Sequence, residues 1–131
     1  MADELQTSMT LAFTKGNDTL NFSVSDKTDV SGTPKLIATE NFDATGANVS
    51  NAQIQAGGYG VTIVQNIGIT KYVELSWDGT NYFCKLDHAS SATAGDGEWC
   101  KVRPPHAGAT ELKIKAESGG TSDVAIWALS P

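Results

Sequence analysis

Two cysteines and two histidines are the only side chains in the sequence with the chemistry and spacing of a metal site. They occur as Cys84-x3-His88 and Cys100-x5-His106. Structural zinc usually includes a knuckle in which two cysteines lie a few residues apart, and this chain has none. We therefore expect no metal ion, and a small metal-dependent enzyme that uses these four residues is the open alternative. The two thiols are expected to be free, with a Cys84–Cys100 disulfide between adjacent strands as the open alternative.

Carboxylates in predicted loops are the second candidate ligand set. They are Asp26, Asp29, Asp78, Asp87 and Asp96. Calcium requires several oxygens converging from one defined loop, and no segment follows the calcium-loop pattern. Aspartate also stabilises turns, because its side chain accepts hydrogen bonds from nearby backbone N–H groups. These residues are therefore interpreted as turn formers.

The sequence lacks the motifs of common enzyme classes. It has no Gly-x-Ser-x-Gly elbow, no His-Glu-x-x-His pair, no phosphate-binding loop and no dinucleotide fingerprint. Gly57-Gly58-Tyr59-Gly60 is rich in glycine, but it precedes a predicted strand and does not link a strand to a helix, so it indicates a turn or bulge. We expect a protein that is not an enzyme and holds no cofactor.

Aromatic residues around one predicted turn are candidates for ligand binding. Trp77 and Tyr82 flank the turn, which also contains Asp78 and Asn81. Exposed aromatic rings beside polar loop atoms are the usual platform for a sugar. Strand aromatics more often pack a core or a subunit interface, so sugar binding is the alternative hypothesis for these four residues.

Four other apolar residues are candidates for a subunit interface. Trp127 and Leu129 lie on the second apolar face of the last predicted strand. A strand that is apolar on both faces is either central in its sheet or covered by a partner. Leu5 and Met9, near the N-terminus, are the other two candidates.

Strict alternation of apolar and polar residues predicts strands through most of the chain. In 71–77, Val73, Leu75 and Trp77 alternate with Glu74 and Ser76, which predicts one buried and one solvent-facing side. The same pattern predicts a hairpin of 9–14 and 20–25, an edge strand at 36–39, and strands at 59–65, 82–86, 98–102, 112–116 and 124–129. Polar loops are predicted at 26–34, 40–58 (anchored by Val49 and Ile54) and 88–97. Eight or nine short strands with regular turns favour an antiparallel, jelly-roll-like β-sandwich.

The overall composition limits the partners and the compartment. The chain has 131 residues and a net charge of −6, and its nine Lys and Arg residues are scattered. A nucleic-acid surface needs clustered cations, and no basic amphipathic stretch suggests a membrane. One domain (9–131) is expected behind a flexible N-terminal arm (1–8). The arm lacks the features of a secretory signal, so the chain is expected to be made and kept in the cytoplasm, or to leave it by cell lysis.

From about Gly57 onward the chain resembles small virion proteins of tailed bacteriophages. The matching elements are Gly58-Tyr59, the turn Asn66-Ile67-Gly68, and the strand Tyr72-Val73-Glu74-Leu75. They are followed by the Arg103-Pro104-Pro105 turn and by a strand with Leu112, Ile114 and Ala116. The resemblance therefore covers about the second half of the chain, in the order of its elements.

The resemblance implies a structural role. It implies a capsid decoration (cement) protein that binds the major capsid protein or other virion proteins, as a homo-oligomer and commonly a trimer. The location implied is the virion, and the N-terminal arm would clamp neighbouring shell subunits. A carbohydrate- or receptor-binding module of a tail or head fibre is the alternative.

Overall fold

The computed structural model describes residues 4–29, 34–49, 58, 60–105 and 111–129, and these residues form an all-β protein. Every strand pairing in the described residues is antiparallel. No helix in these ranges is long and apolar enough to cross a bilayer. The ten strands are β1 (Glu4–Lys15), β2 (Asp18–Asp29), β3 (Pro34–Phe42), β4 (Ala47–Asn48), β5 (Thr62–Asn66), β6 (Val73–Ser76), β7 (Tyr82–Leu86), β8 (Trp99–Val102), β9 (Lys113–Ala116) and β10 (Ser122–Leu129).

The chain divides into two compact units, Met1–Ser31 and Gly32–Pro131. The first unit contains a two-stranded hairpin of β1 and β2, paired without a break from Glu4↔Asp29 to Lys15↔Asp18. Gly16 begins the two-residue turn with φ of +63°, the conformation that a tight type II′ hairpin turn requires at this position. The sequence predicted the hairpin, and the structure extends both of its strands.

The second unit is a sandwich of two four-stranded sheets, called the sandwich below. The strand orders are β3-β10-β5-β8 in the first sheet and β4-β9-β6-β7 in the second. Except for the β6–β7 hairpin, each strand is followed by one in the opposite sheet. This alternation of eight strands between two sheets is the jelly-roll arrangement, so the predicted fold class is confirmed.

The inward faces of the two sheets form the core of the sandwich. Leu75, Ile114 and Ile126 are completely buried, and they come from β6, β9 and β10. Val49 is also completely buried, and its N–H donates to the Leu112 carbonyl at 2.9 Å. The sequence predicted an anchor at Val49. The other predicted anchor, Ile54, lies outside the described residues.

The last strand occupies the position that its two apolar faces suggested. β10 lies between β3 and β5 and pairs with both. Val124, Ile126 and Ala128 point into the core, whereas Trp127 is 40% exposed on the outer side. β3 is an edge strand, as predicted, and it extends well beyond the predicted 36–39.

Three local predictions differ from the structure. Residues 26–29 were assigned to a loop, but they pair with residues 4–7 and continue β2, because the partner strand supplies their hydrogen bonds. Residues 40–42, assigned to the polar loop, continue β3 beside β10. Ser76, assigned to a solvent-facing side, is completely buried, because the register shifts between Leu75 and Ser76.

The boundary between units also differs from the sequence expectation. An arm of 1–8 and a domain of 9–131 were expected, whereas β1 begins at Glu4 and the two units divide at Ser31 and Gly32. Residues 4–8 therefore belong to the hairpin. The physical reason is their pairing with the far end of β2, from Glu4↔Asp29 to Ser8↔Ser25.

Candidate interaction surfaces

One face of the hairpin is apolar and exposed. Three cross-strand pairs form it, Met9↔Val24, Leu11↔Phe22 and Phe13↔Leu20, and we call these six residues the apolar hairpin face. Their exposed fractions range from 39% at Met9 to 65% at Leu20. Alternation along both strands places them on one side. The six apolar side chains of this face are therefore exposed to solvent.

The opposite face of the hairpin is polar. Its cross-strand pairs include Ser8↔Ser25, Thr10↔Ser23 and Thr14↔Thr19, and the hydroxyl oxygens of Thr10 and Ser23 are 3.5 Å apart. The hairpin is therefore a two-stranded ribbon with one polar side and one apolar side. Of the predicted interface residues, Met9 lies on the apolar side. Leu5 pairs with Thr28 in the backbone register, and its side chain lies outside the described residues.

A second exposed apolar surface lies on the outer side of the first sheet of the sandwich. Trp127, Ile63 and Lys101 are aligned across β10, β5 and β8, and Trp99 is opposite Gln65 in the adjacent row. We call Trp99, Trp127, Ile63 and Lys101 the tryptophan face. Trp99 is 42% exposed and Trp127 is 40% exposed. Tryptophan is enriched at protein interfaces, so the two exposed indoles make this surface suited to binding a protein.

The predicted interface residues in β10 differ in their exposure. Trp127 is accessible on the tryptophan face, whereas Leu129, at the end of β10, is half-buried. Trp99 was not among the four residues that the sequence singled out for an interface. The sequence does not show whether Trp99 faces the core or the solvent, because this depends on the sheet to which β8 pairs.

The turn after β6 brings together the four residues of the alternative ligand site, but their polar atoms are used internally. Asp78 Oδ1 accepts hydrogen bonds from the backbone N–H groups of Thr80 and Asn81, both at 2.7 Å. The Asn81 side-chain amide donates to Asp78 Oδ2 at 2.6 Å, and Ser76 Oγ donates to Oδ1 at 2.9 Å. These bonds, first of all that from the Asn81 backbone, hold the pKa of Asp78 far below its usual range. Asp78 is a turn former, as predicted.

The aromatic rings of the same site also have neighbours within the chain. The Trp77 and Phe83 rings are nearly parallel, at 11°, with centroids 6.4 Å apart. Lys115 Nζ lies 3.8 Å above the centre of the Tyr82 ring and 3.0 Å from Glu74 Oε2. The cation therefore covers one face of Tyr82, which leaves less of that ring for stacking on a sugar.

The two thiols meet between the sheets. Cys84 in β7 and Cys100 in β8 are partly buried against the core, and both are free. Burial, and then the neighbouring Cys84 thiol, raise the pKa of Cys100 to about 12. A thiol with such a raised pKa stays protonated at neutral pH and is a poor nucleophile and metal ligand.

The histidines of the predicted metal set do not join the thiols within the described residues. His88 is exposed, with Nδ1 2.8 Å from the Ala89 carbonyl oxygen, and His106 lies outside the described residues. In the part of the chain that is described, no three His, Cys, Asp or Glu side chains are grouped to hold a metal ion.

The loop between β7 and β8 forms a small cavity with the end of β5. The cavity has a volume of about 190 Å³ and is lined by Gln65, Ile67, Ala89, Ser91, Ala92, Gly95 and Gly97. Gln65 Nε2 donates to the Gly97 carbonyl at 3.1 Å. Asp96 accepts hydrogen bonds from the Ser90 hydroxyl at 2.6 Å and from the Ser90 backbone N–H at 2.9 Å, and these bonds, first of all that from the hydroxyl, lower the pKa of Asp96. The lining is uncharged, so the cavity has room for a few water molecules but no charged group to orient a ligand.

No protein-family model, no curated protein and no solved structure matches this chain.

Proposed function

We propose that this chain is a non-enzymatic structural protein of a bacteriophage virion, a capsid decoration protein that binds the head shell as a homo-oligomer. The resemblance of the chain, from about Gly57 onward, to small phage virion proteins suggests the setting. The jelly roll is common among viral capsid proteins and also among lectins. A fold alone does not assign a function, so the proposal depends on the surfaces.

The observation that carries the proposal is the exposed apolar surface. Two separate surfaces, the apolar hairpin face and the tryptophan face, contain most of the large apolar side chains that are exposed among the described residues. Soluble monomers rarely expose contiguous apolar patches larger than a few hundred Å². A chain with two such surfaces is best explained as a component of an assembly with two kinds of partner.

We assign the tryptophan face to the shell. Tryptophan is the residue type most enriched among those that dominate binding energy, particularly where polar groups surround it. Lys101 lies in the same row as Trp127, beyond Ile63, and Gln65 is opposite Trp99, so each indole has a polar residue in its own row. Each bound copy would add contact area at a junction between shell subunits. Binding to the intact shell alone would stabilise that shell by mass action.

The alternative, a carbohydrate- or receptor-binding module, receives less support. It uses Trp77, Asp78, Asn81 and Tyr82. Both carboxylate oxygens of Asp78 already accept hydrogen bonds within the turn, and Lys115 covers the Tyr82 ring. A sugar would therefore have to displace interactions that the chain makes with itself.

The test is binding to heads of the phage that encodes the chain, prepared without this protein. Purified protein should sediment with the heads and raise the temperature at which they rupture. Trp99→Ala combined with Trp127→Ala should weaken binding by about tenfold or more, because buried tryptophans are the costliest residues to truncate. Phe83→Ala is the matched control: Phe83 is an exposed aromatic residue of the other sheet, and its loss should leave binding unchanged.

Two outcomes would contradict the proposal. One is wild-type protein that does not sediment with the heads. The other is a double tryptophan variant that binds as tightly as wild type, which would remove the tryptophan face from the interaction. Glycan-dependent binding that is lost in Trp77→Ala would favour the receptor-binding alternative.

A further inference from the structure

The apolar hairpin face has to pack against a surface outside the hairpin, because two strands provide no second layer. Each strand has twelve residues, which gives a ribbon about 40 Å long. A two-stranded hairpin is marginally stable in water unless a further layer packs on its apolar side. The six exposed apolar side chains thus indicate that another protein surface covers this face.

The size of the face fits a second copy of the chain. A large side chain buries about 150–250 Å², so the exposed fractions of the six residues leave on the order of 600 Å² of apolar surface per copy. Two such faces in contact would bury about 1,200 Å², the lower end of the range for specific protein interfaces. The face is also without charge from Met9 to Phe13 and from Leu20 to Val24, so two copies of it can meet without burying an unpaired charge.

Charges at the turn end indicate how the copies are oriented. Lys15 and Asp18 form the last cross-strand pair of the hairpin, and alternation places both on the side of Phe13 and Leu20. If hairpins run parallel around a rotation axis, Lys15 of one copy approaches Asp18 of the next. In an antiparallel arrangement Asp18 would instead approach the end that contains Asp26, another acid. Parallel packing therefore pairs opposite charges at every contact of a closed ring.

We propose that the apolar hairpin face is covered by the same face of other copies of this chain, in parallel around a rotation axis. The inference rests on the proposed function for its homo-oligomer and adds the surface, the partner and the orientation. It makes the hairpin the oligomerisation element.

The first test is the solution mass of the full chain by light scattering across a range of concentrations. A mass that is a multiple of 13.8 kDa is expected for wild type. Leu11→Ser combined with Phe22→Ser should give the monomer mass, because two polar groups interrupt the centre of the face. Thr10→Ser combined with Asn21→Ser, at the adjacent positions on the polar face, should keep the wild-type mass. Wild-type protein at 13.8 kDa, or a Leu11/Phe22 variant that stays oligomeric, would overturn the inference.

A charge-swap series tests the orientation without disturbing the apolar residues. Lys15→Asp alone should shift the equilibrium towards monomer, because the ring then carries two acids per copy. Adding Asp18→Lys should restore the oligomer, since each contact again pairs opposite charges. An oligomer insensitive to Lys15→Asp, or not rescued by the swap, would reject the parallel arrangement. Tryptophan fluorescence checks that the sandwich stays folded throughout, because all three tryptophans lie in the second unit.

The two proposals fail in distinguishable ways. Wild-type protein that is oligomeric but does not bind phage heads would remove the virion role and keep the hairpin interface. Wild-type protein that is monomeric in solution but binds heads would keep the virion role and remove the hairpin interface.

Discussion

The side chains of Asn66 and Ser122 are hydrogen-bonded to each other inside the sandwich, with Ser122 Oγ donating to Asn66 Oδ1 at 2.8 Å. Both residues are buried. Asn66 Nδ2 donates to the Lys71 carbonyl at 2.8 Å and to the Leu86 carbonyl at 3.0 Å. One amide at the end of β5 therefore connects β10 in its own sheet with the segment before β6 and with the end of β7 in the other.

Removal of this amide is expected to destabilise the sandwich. Asn66→Ala should lower the free energy of unfolding by about 2–3 kcal/mol, since it removes the amide's hydrogen bonds to the Lys71 and Leu86 carbonyls and leaves only Ser122 Oγ, at 3.2 Å, on the Lys71 carbonyl. Ser122→Ala should cost less, about 1 kcal/mol, because Asn66 Oδ1 still accepts from the Gly68 N–H. Urea titration followed by tryptophan fluorescence measures both. Asn48→Ala, at an exposed position of β4, is the control, and a loss there equal to that of Asn66→Ala would refute the explanation.

Gly97 and Gly95 are expected to respond differently to alanine. A Cβ at Gly97 would collide with the carbonyl oxygen of Asn66, whereas a Cβ at Gly95 has open space. Gly97→Ala should cost about 2–3 kcal/mol through overpacking. Gly95→Ala should cost about 1 kcal/mol, which is the strain of a side chain at its φ of +64°. Thermal unfolding of the two variants checks the order. Equal costs would mean that β5 can shift to accept the methyl group.

Asp78 is expected to stabilise the sandwich in a pH-dependent manner. Its pKa is lowered in the folded protein by hydrogen bonds to the carboxylate, first of all from the Asn81 backbone N–H. The unfolded chain therefore takes up a proton before the folded chain does, and stability falls as pH falls through about 3.8 and below. Asp78→Asn should be less stable than wild type at neutral pH, with the difference shrinking in acid. A difference that is constant from pH 7 to acid would contradict this assignment.

Cys100 is expected to react slowly and to weaken the fold in alkali. Its pKa is raised to about 12 by burial and by Cys84. Alkylation at pH 8, measured by mass spectrometry of the peptide, should be at least about tenfold slower in the native protein than in urea. Cys84→Ser should accelerate it, because one cause of the raised pKa is lost.

A loss of stability at alkaline pH follows from the same raised pKa of Cys100. The unfolded chain loses the Cys100 proton from about pH 9, while the folded chain keeps it until about 12. The folded state therefore binds more protons in this range, and stability should fall as pH rises through it. Cys100→Ser should remove that part of the slope. If the free energy of unfolding of the variant fell with pH as it does in wild type, other groups would account for the loss of stability.

The candidate surfaces were only partly predictable. Met9 and Trp127 were named from the sequence, and both are exposed. Leu11 and Phe22 were predicted to lie in a strand, but nothing in their alternation distinguishes a face that packs on a core from one left open. Trp99 was missed as a surface residue, because the face it occupies is set by the pairing of β8 with β5. The Asn66–Ser122 bond joins residues 56 positions apart, beyond the reach of any local pattern.

The sequence by itself determined the strands and most of their turns. Alternation and turn residues act over a few neighbours, so the hairpin of β1 and β2, the Asp78 turn and the two apolar faces of β10 were all predictable. Tertiary structure decided which strands pair, how they alternate between two sheets, and where the chain divides into units. Those outcomes depend on burial summed over distant segments. The hairpin has only two strands and exposes six apolar side chains on one side, which is the physical reason to expect further copies.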